Sequence, residues 1–391
     1  MRHNWNYKTI GDVCTSVTDG SHNPPKGIDK SDYRMISSQN IFDDNLILTD
    51  DSVRYLSKEN HIIEDKRTRL QKDVVLLTIV GTIGRACILT GNEGPLTLQR
   101  SVAALHPSEE ILPRFLLHTL IGNRTTLNQE AHGIAQKGLY LKQLSALRIP
   151  VPTIEEQQKI VSELDKINEL IRLKKEQLKD YDNLAQSIFY EMFGDPVVNE
   201  KGWDFKKIGE IGTVERGAGI SKKDFVEDGL PCIHYGQLHT ILGPTTRHHH
   251  SCIPESLLPK YKIAHTNDVI MAITSEDIEG SCKSTVWLGN YDIVIGSDAA
   301  ILHHEQDGTF LSYYTMTKAF FNEKSKYAKG FKVTHISAKE IENIPVYLPP
   351  LALQKDFAQR IELIEQQKAE IQSTIADLET LLASRMQYWF D

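Results

Sequence analysis

A chain of 391 residues is long enough for two or three domains of ~100–200 residues each. Apolar residues make up 40% and charged residues 25%, with 24 Gly and 15 Pro, which excludes a disordered polymer, a collagen or a disulfide-stapled mini-protein. The net charge of −8 is uneven: residues 1–152 carry 18 Lys and Arg against 16 Asp and Glu, whereas 153–198 carry 6 against 10 and 350–391 carry 4 against 7. Salt confines each field to ~8 Å, so overall acidity neither supports nor excludes a nucleic-acid partner.

Residues 1–150 hold short β-branched runs such as Val74–Val80, broken by Gly, Asn, Asp and Pro, with Pro113–Leu120 as a short helix. This reads as an α+β domain. Residues 151–198 follow as one long helix after Pro152: Ile160, Leu164, Ile167, Ile171, Lys174, Leu178, Tyr181, Ala185, Ile188 and Met192 step by four and three throughout. Asp195-Pro196 and Gly202 end it. Residues 199–348 form a second α+β domain, with runs Val269–Ile273, Thr285–Leu288 and Tyr291–Ile295 and a helix in Phe310–Phe321. Residues 349–391 repeat the helical pattern at Phe357, Ile361, Ile364, Lys368, Ile371, Ile375, Leu378, Leu382, Arg385 and Trp389. A strict 3.5-residue period marks a coiled-coil seam, and the lysine in each seam weakens packing but helps fix register. No run reaches the ~20 apolar residues of a membrane span, and no cationic segment followed by an apolar one marks a secretory signal. Five cysteines, Cys14, Cys87, Cys232, Cys252 and Cys282, without a CxxC pair read as reduced thiols, so a cytoplasmic protein is expected.

The chain repeats itself at a shift of about 197 residues. Leu144, Leu147, Pro152, Gln157, Ile160, Leu164 and Phe193 align with Ile341, Ile344, Pro349, Gln354, Phe357, Ile361 and Phe390. The openings Trp5–Gly11 and Trp203–Gly209 match, as do Tyr33–Ile41 with Leu230–Leu238 and Val102–His106 with Ala299–His303. Each seam's nearest complement is its duplicate. The expected fold is therefore a pseudo-twofold internal repeat of two α+β domains, separated by two long helices that form an antiparallel coiled coil. A helix of ~40 residues spans ~60 Å, so the expectation is a ruler with a reader at each end.

The order globule, helix, globule, helix, with IPVPTIEEQQKIV at 149–161 and IPVYLPPLALQKDFA at 344–358, resembles the specificity subunit of type I restriction-modification systems. In that family an Ile-Pro-x-Pro stretch leads from each target recognition domain into a spacer helix. The resemblance implies that each domain reads one half of a bipartite target in double-stranded DNA. It implies that the helices dock methyltransferase subunits, two of them, and through these a restriction subunit where one exists. S-adenosylmethionine, ATP and Mg would then be bound by partners, and this chain would carry no catalytic residue and no metal. Glu155-Glu156 before Gln157 becomes Ala352-Leu353 before Gln354 in the second copy.

Base reading needs Arg, Lys, Asn, Gln, Ser or Thr on loops that enter a groove. Arg34, Ser37, Ser38, Gln39 and Asn40 form a polar block between apolar flanks, with His234, Tyr235 and Gln237 as counterparts; a plain polar turn is the competing reading. Lys66, Arg67 and Arg69 are the densest basic cluster of the first half, suited to phosphates or simply solvated. Thr82 and Arg85 with Gly81 and Gly84 make either a DNA-approaching turn or an ordinary hairpin. Lys137-Gly138 and Lys329-Gly330-Phe331-Lys332 precede the two helix entries, as phosphate contacts would. Asn23-Pro24-Pro25-Lys26 lacks the aromatic of an amino-methyltransferase motif. His248, His249 and His250 with Cys252 and His239 match no standard zinc spacing, and no GxxxxGK[ST] loop is present. Two other readings remain at this level: a protein-binding coiled-coil scaffold, and a metal-dependent nuclease built on the histidine-rich half.

Overall fold

The computed structural model describes residues 5–132, 137–256, 261–329 and 333–390. It divides into one unit of Met1–Lys175 with Ser373–Asp391 and another of Glu176–Gln372. Each unit thus contains one α+β domain and part of both long helices, Ile154–Phe193 and Leu351–Phe390.

In the first unit, strands Cys14–Asp19, Val102–Pro107, Val75–Thr78 and Ala86–Ile88 lie in that order as an antiparallel sheet. Alternate residues feed opposite faces. Val75, Leu77, Ala103 and Leu105 join one core with Phe115 and Leu164, while Val74, Leu76, Val102 and Ala104 join another with Ile36 and Leu98. Both faces are covered, which is why Val74–Val80 reads as an unbroken apolar run. A second sheet runs Arg54–Leu56, Tyr33–Ile36, Leu96–Leu98, the last two parallel. Strand Asn6–Thr9 pairs with Arg148–Val151 at the entry to the first long helix.

The second unit repeats this plan. Gly212–Arg216, Ala299–His304, Val269–Ala272 and Ser284–Trp287 are adjacent strands, and Leu230–Ile233 runs parallel to Ile293–Ile295. Val269 and Met271 face one core, Ile270 and Ala272 the other. Phe205–Lys207 pairs with Pro345–Tyr347 at the second helix entry.

Both helix entries are latched by the glutamine of the repeated motif. Gln157 is fully buried; its Oε1 accepts from Leu112 N (2.8 Å), and its Nε2 donates to Glu110 O (2.9 Å) and Pro152 O (3.0 Å). Gln354, equally buried, accepts from Asp307 N (3.1 Å) and donates to Pro349 O (2.8 Å). The departure beside it also has a cause. Thr153 and Glu156 exchange backbone bonds as a capping box in the first copy, whereas Pro350 O accepts from Leu353 N (2.9 Å) in the second.

Within each unit the two long helices run antiparallel. In the first, Glu163 binds Arg385 while Lys175 binds Glu379 (2.7 Å); in the second, Asp182 binds Lys368 (2.8 Å) while Phe189 packs on Phe357 at 5.6 Å. Ile160, Leu164, Ile167, Ile171, Phe357, Ile361, Ile364, Ile371 and Ile375 are buried, and Leu178, Tyr181, Ile188, Leu378 and Leu382 half-buried. At the end of the first helix Phe189, rather than Ile188, takes the fully buried position. Burial alone would lower the pKa of Lys368, but hydrogen bonds to Asp182 and Glu365 more than offset this and keep it charged.

Each α+β core is completed by a helix that began in the other half of the sequence. Phe193 packs against Phe310 at 4.8 Å and Phe357 at 5.3 Å; its duplicate Phe390 packs against Phe115 at 5.7 Å. Carbonyls at the first helix's end accept from Lys201 Nζ and Trp203 Nε1. Phe193→Ala is expected to destabilise the second unit, and Phe390→Ala the first, by about 3–5 kcal/mol, read as lowered melting transitions in calorimetry. Gln157→Leu is expected to cost about 1–3 kcal/mol, because the Leu112 N–H is left buried without an acceptor.

Candidate nucleic-acid interface

In the first unit, several turns meet at one end of the four-stranded sheet. Ser38 N, in the turn after strand Tyr33–Ile36, donates to Ser101 Oγ (3.1 Å). Ile79 N donates to Ser101 O (2.9 Å), and Leu139 N to Ile79 O (2.8 Å), which brings Lys137 to the same end. The hairpin turn Gly81–Gly84 sits beside Ser38, its two glycines at φ of +83° and +90°. Ser21 N donates to Leu98 O (2.8 Å) and Arg100 N to Ser21 O (2.9 Å). Exposed at this end are His22, Gln39, Thr82, Arg100 and Lys137.

Not every sequence candidate belongs to it. Asn40 is fully buried: its Oδ1 accepts from Ser37 N (2.9 Å), and its Nδ2 donates to Ile47 O (3.0 Å) and to Ser52. It holds the turn and cannot reach a base. Gln39 Nε2 donates to Ser52 O (2.7 Å) yet stays exposed. Arg34 donates to Glu93 O at the start of its strand, away from the turn. Arg85 is half-buried, its guanidinium 5.0 Å over the Phe42 ring. On helix Lys58–Thr68 and its cap, Lys66 and Arg69 are exposed, while Arg67 binds Asp19 beside Gly20.

The second unit has the same frame with other side chains. His234 N donates to Gln237 Oε1 (2.9 Å), as Ser37 N does to Asn40, and Gln237 Nε2 donates to Ser251 Oγ (3.1 Å). Gln237 therefore also holds a turn. His234 is buried, and its Nδ1 accepts from Gly236 N (3.1 Å); Tyr235 is half-buried against it at 4.6 Å. Asp298 stands where the first unit has Ser101: Ile273 N donates to Asp298 O (3.0 Å), and Ile336 N to Ile273 O (3.0 Å).

This frame corrects one pairing. Lys329 exchanges backbone hydrogen bonds with His335, as His132 does with Gly138, so Lys329 matches His132 and not Lys137. Lys329 Nζ is bound to Glu340 at 2.6 Å; that hydrogen bond, with others from Ser337, holds the Glu340 carboxyl at about 2. Its charge is thus matched locally. Lys332 lies outside the described residues. Of the histidine-rich segment, His249 Nδ1 is bonded to Tyr291 Oη (2.7 Å), and the more distant His239 Nε2 to Thr274 O (3.0 Å). Among the described residues no group of three or more His, Cys, Asp and Glu is placed to hold a metal.

Asp19, Arg100, Arg216, Asp298 and Thr274 escaped the reading of the sequence. The signal was the match of Asp19-Gly20 to Arg216-Gly217 at the 197-residue shift, too short to weigh alone. Both glycines are required by close approach: a Cβ on Gly20 would lie 2.1 Å from Leu98 O, and one on Gly217 2.2 Å from Gly296 O.

One backbone frame used twice, with different polar side chains on it, is the build of a protein with two related recognition units. A profile of the type I restriction modification DNA specificity domain matches residues 2–180 and again 200–379. The chain belongs to this family, and its role is DNA sequence specificity. It is 23% identical over 320 residues to the type I restriction enzyme MjaVIII specificity subunit of Methanocaldococcus jannaschii, covering 75% of this chain and 72% of that one. It is 32% identical over 148 residues to the EcoBI specificity subunit of Escherichia coli, covering 36% of this chain and 31% of that one. The fold matches the S subunit of the M. genitalium type I system with a TM-score of 0.57 at 14% identity, over 100% of this chain and 97% of that one. A chain from a type I R-M structure gives 0.56 at 18% identity, covering 99% and 97%.

Burial, reinforced by nearby Lys222, lowers the pKa of His234 below its ordinary value of about 6.5. The unfolded chain therefore takes up the proton first, and the stability present above that value is lost as pH falls through it. The melting temperature of the native chain is expected to drop more between pH 7.5 and 5.5 than that of a His234→Gln variant, measured side by side.

Proposed function

We propose that each unit reads one half of a bipartite DNA target with the polar end described above, and that the chain carries no catalytic centre of its own. In this reading the long helices dock methyltransferase subunits as a pair, matching the symmetry of the repeat. Those subunits bring S-adenosylmethionine, and a restriction subunit, where present, brings ATP and Mg. The observation that carries the reading is a duplicated backbone frame whose polar side chains differ between copies: buried Asp19 against exposed Arg216, and Ser101 against Asp298. A protein selected only to scaffold partners has no need of such divergence on a preserved frame. Base contacts specify sequence and phosphate contacts position the protein, so divergence at one end of a fixed frame suits two different half-sites.

Co-expression with a cognate methyltransferase subunit, followed by long-read mapping of methylated adenines, is expected to reveal a split motif with a fixed spacer. Unmodified DNA would refute the reading. Inserting one four-residue step into both long helices is expected to lengthen the unspecified spacer while leaving both half-sites unchanged. Altered half-sites in that variant would show that reading and spacing are not separate tasks.

A further inference from the structure

Arg67 in the first unit and Arg216 in the second are each anchored by a backbone carbonyl and a neighbouring carboxylate beside the same crossing of the duplicated frame. Arg67 Nε donates to Asp19 O (2.9 Å), and its Nη2 is bound to the Asp19 carboxylate. Arg216 Nε donates to Ser297 O (2.9 Å), and its Nη2 lies 3.8 Å from the Asp298 carboxylate. The two arginines come from different elements, a helix in one unit and a strand in the other. Each anchor nevertheless flanks the crossing at Gly20 or Gly217, where the chain is fixed by Gly20 N to Val102 O (3.1 Å) and Gly217 N to Ala299 O (2.9 Å). Both side chains stay about half exposed, at 51% and 55%.

A guanidinium carries five N–H groups in a flat fork. Here one edge, Nε with one Nη2 hydrogen, is turned to the protein: at Arg67 by hydrogen bonds to a carbonyl and a carboxylate, at Arg216 by a carbonyl hydrogen bond with a carboxylate 3.8 Å away. The end-on edge, Nη1 with the other Nη2 hydrogen, is left for a ligand with two acceptors side by side. The O6 and N7 of guanine in the major groove are such a pair. A phosphate-gripping cation needs no orienting carboxylate, which would weaken its attraction for an anion; a base reader gains from one, because direction decides discrimination. We propose that Arg67 and Arg216 each read a guanine, one in each half of the target. This rests on the bipartite reading above and moves Arg67 from phosphate contact to base contact.

The experiment is methylation mapping of the intact complex with the native chain, R67A, R67K and R216A, alongside thermal melting of each purified variant. R67A is expected to relax one guanine of one half-site, with discrimination falling roughly 10- to 100-fold, while the other half-site is unchanged. R216A is expected to do the same to the other half. R67K keeps the charge but not the fork and is expected to relax the same guanine. If variants with native melting leave the motif intact and lower methylation uniformly, with R67K restoring it, the contact is to phosphate and the assignment is overturned. A variant that loses both half-sites together with its melting transition would show a structural role and overturn it too. No split motif from the native chain would overturn the bipartite reading, and this assignment with it.

Discussion

The structure depends on the docking of each long helix's last turns into the recognition core of the opposite half. Burying a phenylalanine contributes on the order of 1.5–3 kcal/mol, and paired rings about 0.5–1.5 kcal/mol more. In the second unit this involves Phe189 and Phe193 against Phe310 and Phe357; in the first, Phe390 against Phe115. The aromatic ends close the cores, and the buried glutamines Gln157 and Gln354 hold the opposite ends of the same helices. Within each unit an ion pair between the helices, Glu163 with Arg385 and Asp182 with Lys368, marks which residues face each other.

The closed cores leave the ends of the sheets free to vary. Both faces of each central sheet are covered by apolar residues, so the inner strands contribute almost no side chain to solvent. At the turns beyond the strand ends the backbone bonds of the two units coincide and the side chains do not. Within this chain the frame is repeated and the side chains on it are not.

Much of the fold was legible because periodicity reports burial directly. The seven-residue seams, the entry motifs and the duplication all follow from apolar spacing, and the alternation of Val74–Val80 between two cores accounts for its unbroken character. The interface was less legible, because sequence does not say which polar residue closes its own turn. Asn40 and Gln237 look like readers in a polar block, yet both satisfy a backbone N–H three residues earlier. Lys137 and Lys329 look like a repeated pair, but the backbone ladder aligns Lys329 with His132. Arg216 and Asp298 were invisible because their partnership joins two strand ends distant in the chain.

The exchange of helix ends also bears on how the protein is made. Phe390 is synthesised 197 residues after Phe193, its duplicate. At ~5–20 residues per second a ribosome needs roughly 10–40 s to cover that interval. For that time the first unit has every strand it will use but lacks the ring that closes against Phe115, while Phe193 waits for a core not yet translated. Vectorial synthesis therefore cannot finish the halves one after the other. The nascent chain must stay soluble with an aromatic socket open and an aromatic plug exposed, a window in which chaperone engagement has something specific to cover.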